Sequence, residues 1–487
     1  MGGIMRTLVR PNVLLLYTDQ QRWDSLGCYG NVAARTPHLD QLAAEGTRLM
    51  DYYVQNPVCM PSRMSFLTGR YCSSLGVGTN GIPFPAADAE PINRVLKPYG
   101  YTTAQIGKLH FQPHLLRDTR DPYPDYGFDT AIIADNTAGK DNAYMKWVEN
   151  VAPEAFASVR RSIAWDTSPL FRKIVGPQTN GADVAPRTRW FADNYWFHSL
   201  FEADEDLTHS GFVADQTCRF LEEHRHAPFF AIAGFFAPHA PINPPQRFLD
   251  LFDAADMPLP RRGDAEPFVP TFLSELSPHD WQEIAAYYAA LVAHVDDCVG
   301  QILRTLDATG RREDTIVIFT SDHGEYLGDH GRVGKAMPGH DCIVRVPFLV
   351  RYPGHIRAGA VSDALVEAVD VVPTILDYCG VQVPRAVQGR SFKGAMEGQG
   401  RAHREDVFVE SFAPHGVREA TVRTRHHKYY CSSEGAEILY DLERDPGEGV
   451  NCAADGAYAP VLAEMRKRMI VRLHGAAFNT RTQVAPH

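Results

Sequence analysis

The sequence predicts an α/β protein: strands buried in a large sheet between helices, then a smaller C-terminal α+β domain. Three observations predict it. Short apolar runs at Val13–Tyr17, Pro228–Ala233 and Thr315–Phe319 have the length and content of strands buried on both faces, as in a parallel sheet. Helical periodicity falls between them. It is clearest from Trp281 to Leu306, where Ile284, Tyr287, Leu291, Val295, Cys298, Ile302 and Leu306 recur at three- and four-residue steps. After Gly380 the texture changes to short strands with polar turns. The expected boundaries are 1–385 for the larger domain and 386–487 for the smaller one.

In chain order, Val13–Tyr17 ends in Thr18-Asp19-Gln20-Gln21. Polar groups there lie at the carboxyl edge of a sheet, where sites form in open α/β folds. Thr36-Pro37 opens a helix through Ala44 that Gly46 closes. A strand-like piece, Tyr101–Gly107, delivers Lys108-Leu109-His110, whose alternation points Lys108 and His110 to one side if extended. From 114 to 210 the pattern breaks down, and prolines and charges mix with Trp147, Trp165, Trp190, Tyr195, Trp196 and Phe197. This reads as a substrate-shaping insertion with most of its rings in a satellite core. Helical spacing returns at Phe212–Glu223. Thr315–Phe319 runs into Ser321-Asp322-His323-Gly324. Val346–Val350 reads as a strand and Asp370–Tyr378 as a helix. The small domain is expected to hold strands near 407–410, 420–423, 428–431 and 437–442, with a helix from about Tyr458 to His474. The tail, 478–487, is read as folding over a neighbouring copy in a homo-oligomer.

Bulk properties narrow the function. The 487 residues are 44% hydrophobic and 22% charged, with a formal charge of −11. That balance argues against nucleic acid or an anionic membrane as partner, and no apolar run is long enough to span a bilayer. It does not argue against an anionic substrate, because the charge inside a cleft is local. The nine cysteines include no Cys-x-x-Cys pair. They read as reduced thiols of a cytoplasmic protein, and no signal peptide is expected.

The chemistry centres on Pro57-Val58-Cys59-Met60-Pro61-Ser62-Arg63. A helix beginning within Met64–Thr68 would place Cys59 at a helix N-terminus, where N–H groups favour negative charge. Arg63 would follow one turn later with a planar fork of donors. A lone cysteine is ordinarily a small buried hydrophobe, and a lone Asp-Gln or Asp-His pair a turn or cap. Here two such pairs follow buried strands, with the cysteine between them. Asp19, Gln20, Asp322 and His323 suit a hard divalent cation, and the histidine tilts the choice from Ca²⁺ towards Mn²⁺, with Mg²⁺ third.

Cys59-x-Pro61-Ser62-Arg63, continuing to Gly69-Arg70, resembles the signature of the type I sulfatases of the alkaline phosphatase superfamily. Gly107-Lys108-Leu109-His110, Ala237-Pro238-His239-x-Pro241, Ser321–Gly324, Lys335 and Tyr440-Asp441-Leu442 stand in the order of that family. The resemblance implies an alkaline-phosphatase-like fold, with a large mixed sheet sandwiched by helices. It implies that a formylglycine-generating enzyme oxidises Cys59 to formylglycine, whose geminal diol is the nucleophile. It implies metal ligands Asp19, Gln20, Asp322, His323 and the modified Cys59. Arg63 and Lys108 would hold the diol, and His110 would take the proton that lets sulfate leave. His239 and Lys335 would neutralise sulfate oxygens and the leaving alkoxide. Asn80 is a candidate substrate contact that by itself reads as a turn residue.

Many sulfatases carry aspartate where Gln20 stands and asparagine where His323 stands. The set found here is similar to choline sulfatases and to phosphonate monoester hydrolases. Lys108-x-His110 favours the former. Hydrolysis of a small sulfate ester is the first expectation. Hydrolysis of phosphonate monoesters or phosphodiesters at the same site is the second. A non-catalytic anion- or metal-binding protein is the rival from another class.

Overall fold

A computed structural model describes residues 10–113, 123–135, 142–162, 198–261, 276–397, 403–412 and 416–477. The larger sheet has eight strands. They are β1 (Asn12–Asp19), β2 (Thr47–Leu49), β3 (Thr102–Gly107), β4 (Thr130–Ile133), β5 (Phe229–Pro238), β6 (Thr315–Ser321), β7 (Phe348–Arg351) and β8 (Ala360–Ser362). Their order is β4-β3-β5-β1-β6-β7-β2-β8. The first five are parallel, β7 runs antiparallel to both β6 and β2, and β8 is parallel to β2.

Alternation along the strands builds two cores. Val13, Leu15, Tyr17, Phe230, Ile232, Ile316 and Ile318 face one side. There they meet Met60, Met64, Phe66 and Leu67 of helix α2 (Cys59–Thr68) and Ile375 and Leu376 of α5 (Val371–Tyr378). Leu14, Leu16, Ala231, Ala233, Val317 and Phe319 face the other side. There they meet α1 (Pro37–Glu45), α3 (His209–Glu223) and α4 (Pro278–Ala308). Period-two alternation in strands apolar on both faces makes the sheet the middle layer of three.

Several boundaries differ from the sequence reading, each for a local reason. Helix α4 starts at Pro278, because Ser277 and Asp280 form a reciprocal capping box ahead of the first apolar residue of the periodic run. Helix α2 starts at Cys59, a turn earlier than the Met64 run suggests. Pro61 is tolerated because first-turn N–H groups need no helical partner. The 114–210 stretch contributes edge strand β4 and a helix at Ala143–Val151, so it is not wholly irregular. Trp147 packs on Phe212 and donates to Asp215, so it joins the second main core and not a satellite one. Trp165, Trp190, Tyr195, Trp196, Phe197 and the 478–487 tail lie outside the described residues.

A four-stranded antiparallel sheet follows: β9 (Val407–Phe412), β10 (Arg418–Arg423), β11 (His427–Ser432) and β12 (Glu437–Asp441). Helix α6 (Ala459–Ala476) covers it through Leu462, Met465 and Met469 against Phe408, Val422 and Leu439. No helix among the described residues is long and apolar enough to cross a membrane.

A buried ion network joins this sheet and its helix to the segment that leads into α5. Arg404 reaches Glu367 at 3.1 Å and forks onto Asp370, and His403 meets Asp370 at 2.9 Å. Glu367 also accepts Tyr71 Oη at 2.5 Å, the Phe408 N–H at 2.7 Å and Arg472 of α6. Burial alone would raise Asp370, but Arg404 and His403 hold it well below the usual carboxylate range. Removing one partner strands a buried charge, so Arg404→Ala is expected to destabilise the fold by about 3–5 kcal/mol. Urea unfolding should show the midpoint falling with an unchanged slope; an unmoved midpoint would show that the network contributes nothing.

Candidate active site

Four neighbouring parallel strands end on one edge, and each delivers a polar group there. Across the sheet, β3 is followed by Lys108, β5 by His239, β1 ends in Asp19 before Gln20, and β6 leads to Asp322 and His323. Helix α2 brings Cys59 to the same edge as its first residue. Ligand atoms of Asp19, Cys59, Asp322 and His323, all buried, lie within 4.8 Å of one another. Cys59 Sγ is 3.2 Å from His323 Nε2 and 3.7 Å from Asp19 Oδ1.

Arg63 binds this cluster together from below. Its Nε donates to Asp322 Oδ2 at 2.7 Å and its NH2 to Asp19 Oδ2 at 3.1 Å, with its side chain 1% exposed. Ser62 Oγ donates to the Asp322 carbonyl. The Ser-Arg pair of the signature thus ties α2 to the ends of β1 and β6. Arg63 was expected to hold the nucleophile; its donors are turned to the carboxylates and to the carbonyls of Lys108 and Thr18. Lys108 Nζ reaches Asp19 Oδ2 at 2.7 Å.

Lys108–His110 is a turn, so the alternation expected of an extended segment does not apply. Gly107 has φ +84, and a Cβ there would meet the Gly234 carbonyl of β5 at 2.1 Å. Only glycine allows that approach. His110, φ 58, is buried on the same turn, and Asp135 Oδ1 accepts its N–H at 2.7 Å and that of Leu109 at 2.8 Å. His239 Nε2 stands 4.0 Å from Asp19 Oδ1, with Nδ1 bonded to the Ala240 carbonyl at 2.7 Å. Lys335 Nζ donates to Cys59 Sγ at 2.6 Å and Gln20 Oε1 at 3.3 Å, and lies 3.1 Å from His323 Nε2. Asn80 stands next to the start of α2: its Oδ1 accepts the Met60 N–H at 3.0 Å, a first-turn N–H one residue from Cys59.

The electrostatics suit a cation. Burial alone would raise Asp19, but Lys108, His239, Arg63 and Lys335 outweigh it and hold the carboxyl well below its usual range. Burial, aided by Lys335, lowers the His323 imidazole, so it stays neutral. Its Nδ1 bonds to the Gly324 carbonyl at 2.8 Å, leaving the Nε2 lone pair facing Cys59 and both aspartates. Burial and then Asp19 push the Cys59 thiol up, so as encoded it is not a thiolate. Two oxygens of carboxylates, an amide oxygen and an imidazole are donors that fit a hard divalent cation. Two residues escaped the sequence reading. Asn56 Oδ1 accepts the Val58 N–H at 2.8 Å ahead of α2. Glu325, buried and pushed up by burial to about 7, accepts the Gln20 amide. The signal for Glu325 was an acid directly after Ser321-Asp322-His323-Gly324.

Donors for a cation, set among lysines and an arginine that attract an anion, equip a metal-assisted hydrolase of anionic esters. Comparison with known proteins agrees. The sulfatase family profile matches residues 11–381, and the profile of the C-terminal part of N-sulphoglucosamine sulphohydrolase matches 328–474. An arylsulfatase of Clostridium perfringens is 28% identical, covering 96% of this chain and 95% of its own. The multifunctional alkaline phosphatase superfamily protein PehA of Trinickia caryophylli is 26% identical over 95% of both. The crystal structure of a phosphonate monoester hydrolase of Agrobacterium radiobacter superposes with a TM-score of 0.79 at 26% identity, over 96% of each chain. The chain belongs to the sulfatase family, and its fold is the alkaline-phosphatase-like one.

Arg63→Lys is expected to lower kcat/KM on an aryl sulfate about 100-fold, because one ammonium cannot span Asp19 and Asp322 as the fork does. Steady-state kinetics beside a melting curve checks this. A variant that keeps its activity would show that Arg63 does not organise the carboxylates.

Proposed function

We propose that the chain hydrolyses a small sulfate monoester using formylglycine made from Cys59 and one divalent cation, Ca²⁺ or Mn²⁺ before Mg²⁺. The observation that carries this is the convergence of Asp19, Cys59, Asp322 and His323. A second supports it: the Cys59 thiol is kept protonated, a poor nucleophile unless converted. Cys59 is 1% exposed. An enzyme that oxidises it therefore has to read the Cys-x-Pro-x-Arg segment before the chain closes over it.

Asp19, Gln20, Asp322 and His323 would hold the cation with position 59. Bound there, the cation supplies Lewis acidity, and formylglycine supplies a geminal diol whose second hydroxyl gives sulfate a way out. The residues of the chain do the rest. Arg63 bridges the two carboxylates and holds them in place. Lys108 and Lys335 set positive charge and donors against the sulfate oxygens and the departing alkoxide, with His239 beside them at the same sheet edge. His110 takes the proton whose loss releases sulfate.

Mass spectrometry of the peptide carrying Cys59 is expected to find the thiol replaced by an aldehyde. Cys59→Ala should lower turnover by about 10⁴-fold or more while the cation still binds. Full activity in a preparation whose Cys59 is intact thiol would defeat the proposal.

Hydrolysis of a phosphonate monoester is the second reading. It is favoured by Gln20 and His323 in the donor set and by the similarity to the Agrobacterium radiobacter enzyme. The Lys108-x-His110 pair, which resembles that of choline sulfatases, favours sulfate. Rates on an aryl sulfate and an aryl phosphonate monoester, measured side by side, should be higher on the sulfate; the reverse order would make the second reading the first.

A further inference from the structure

Glu325 lies behind the candidate cation site, 1% exposed. Its Oε1 accepts the backbone N–H groups of Leu327 at 2.9 Å and Gly334 at 2.8 Å. Its Oε2 accepts Nε2 of Gln20. A carboxylate can only accept, so Gln20 must meet it with its nitrogen. The Gln20 oxygen then faces the opposite way, where it accepts Lys335 Nζ at 3.3 Å. That ammonium also touches Cys59 Sγ and His323 Nε2.

The Gln20 backbone is held independently. Its φ is 66, its N–H donates to Asp322 Oδ1 at 3.1 Å, and its carbonyl accepts Tyr288 Oη at 2.8 Å. What the backbone leaves open is which end of the amide faces the site. The two ends have nearly the same shape, and packing alone does not choose between them. One end accepts, and the other would point N–H groups at a cation.

We infer that Glu325 is a positioning residue: by accepting the Gln20 nitrogen it aims the Gln20 oxygen at the cation. The inference rests on the cation-site reading above. It assigns Glu325 no contact with substrate. Through Gly334 the same carboxylate also holds the segment that carries Lys335, so the ligand oxygen and the ammonium share one support.

The test exchanges donor for acceptor. In Glu325→Gln, the new oxygen must keep facing the N–H groups of Leu327 and Gly334, so its nitrogen faces Gln20. The Gln20 amide then has to turn over and offer N–H to the site. Adding Gln20→Glu restores an acceptor on both sides, with the same net charge as the wild type. Mn²⁺ alone is titrated into metal-free protein at a pH that keeps Glu325 ionised, and followed by the spin-resonance signal of the free ion. Melting curves of the metal-free proteins run alongside. Glu325→Gln is expected to weaken Mn²⁺ binding about 10–100-fold, and the double variant to return within about threefold of wild type. Wild-type affinity in the folded fraction of Glu325→Gln would overturn the inference, as would a folded double variant that stays weak. If the wild type binds neither Mn²⁺ nor, by calorimetry, Ca²⁺, the cation reading falls and takes this inference with it.

Discussion

The fork of Arg63 across Asp19 and Asp322 is the constraint on which the site depends. Two carboxylates brought together without water repel each other and lose solvation. Here a buried guanidinium reaches both, 4.7 Å above the Tyr17 ring. Burial alone would lower Arg63, but Asp322 and Asp19 outweigh it and push it up, so the guanidinium stays charged. The same side chain is part of α2, so the contact that bridges the carboxylates also sets where Cys59 stands. Charge compensation and nucleophile placement are one interaction.

Local charge then differs in sign from global charge. The chain carries −11. Around Cys59, however, Arg63, Lys108 and Lys335 outnumber Asp19 and Asp322. Burial lowers His239 and His323, so neither adds a competing charge. An anionic ester is therefore drawn to a small cationic centre in an acidic protein. Field lines between low-dielectric walls concentrate this attraction at the cleft.

The smaller sheet contributes by tying down segments remote in sequence. Glu367 and Asp370 precede α5, Arg404 precedes β9, and Arg472 lies in α6. Tyr71, which shares Glu367, follows the C-terminal end of α2. Asn56 Nδ2 meanwhile donates to the Glu410 carbonyl of β9 at 2.7 Å, while its Oδ1 serves the start of α2. Both ends of the helix that presents Cys59 are thus referenced to the C-terminal sheet. Polar networks of this kind are costly when incomplete and give one defined arrangement when satisfied.

The amino-acid pattern revealed the central strands, the long helix and the chemistry at strand ends, but not the short strands at Thr47–Leu49, Thr130–Ile133 and Ala360–Ser362. Buried strands write themselves as apolar runs, and the polar residues that follow Leu16 and Phe319 must sit at the sheet's edge. Asp19, Gln20, Asp322 and His323 were legible in that way, and the family signature supplied the parts expected of Cys59, Lys108, His239 and Lys335. Which side chain holds which came from the assembly of the fold. Arg63 faces carboxylates 44 and 259 positions away, Asn80 meets the first turn of α2, Lys108–His110 turns instead of extending, and Glu325 grips Gln20 from 305 positions along the chain. Periodicity is a property of neighbours along the chain. A hydrogen bond between distant segments depends on the relative placement of whole strands, which no local pattern encodes.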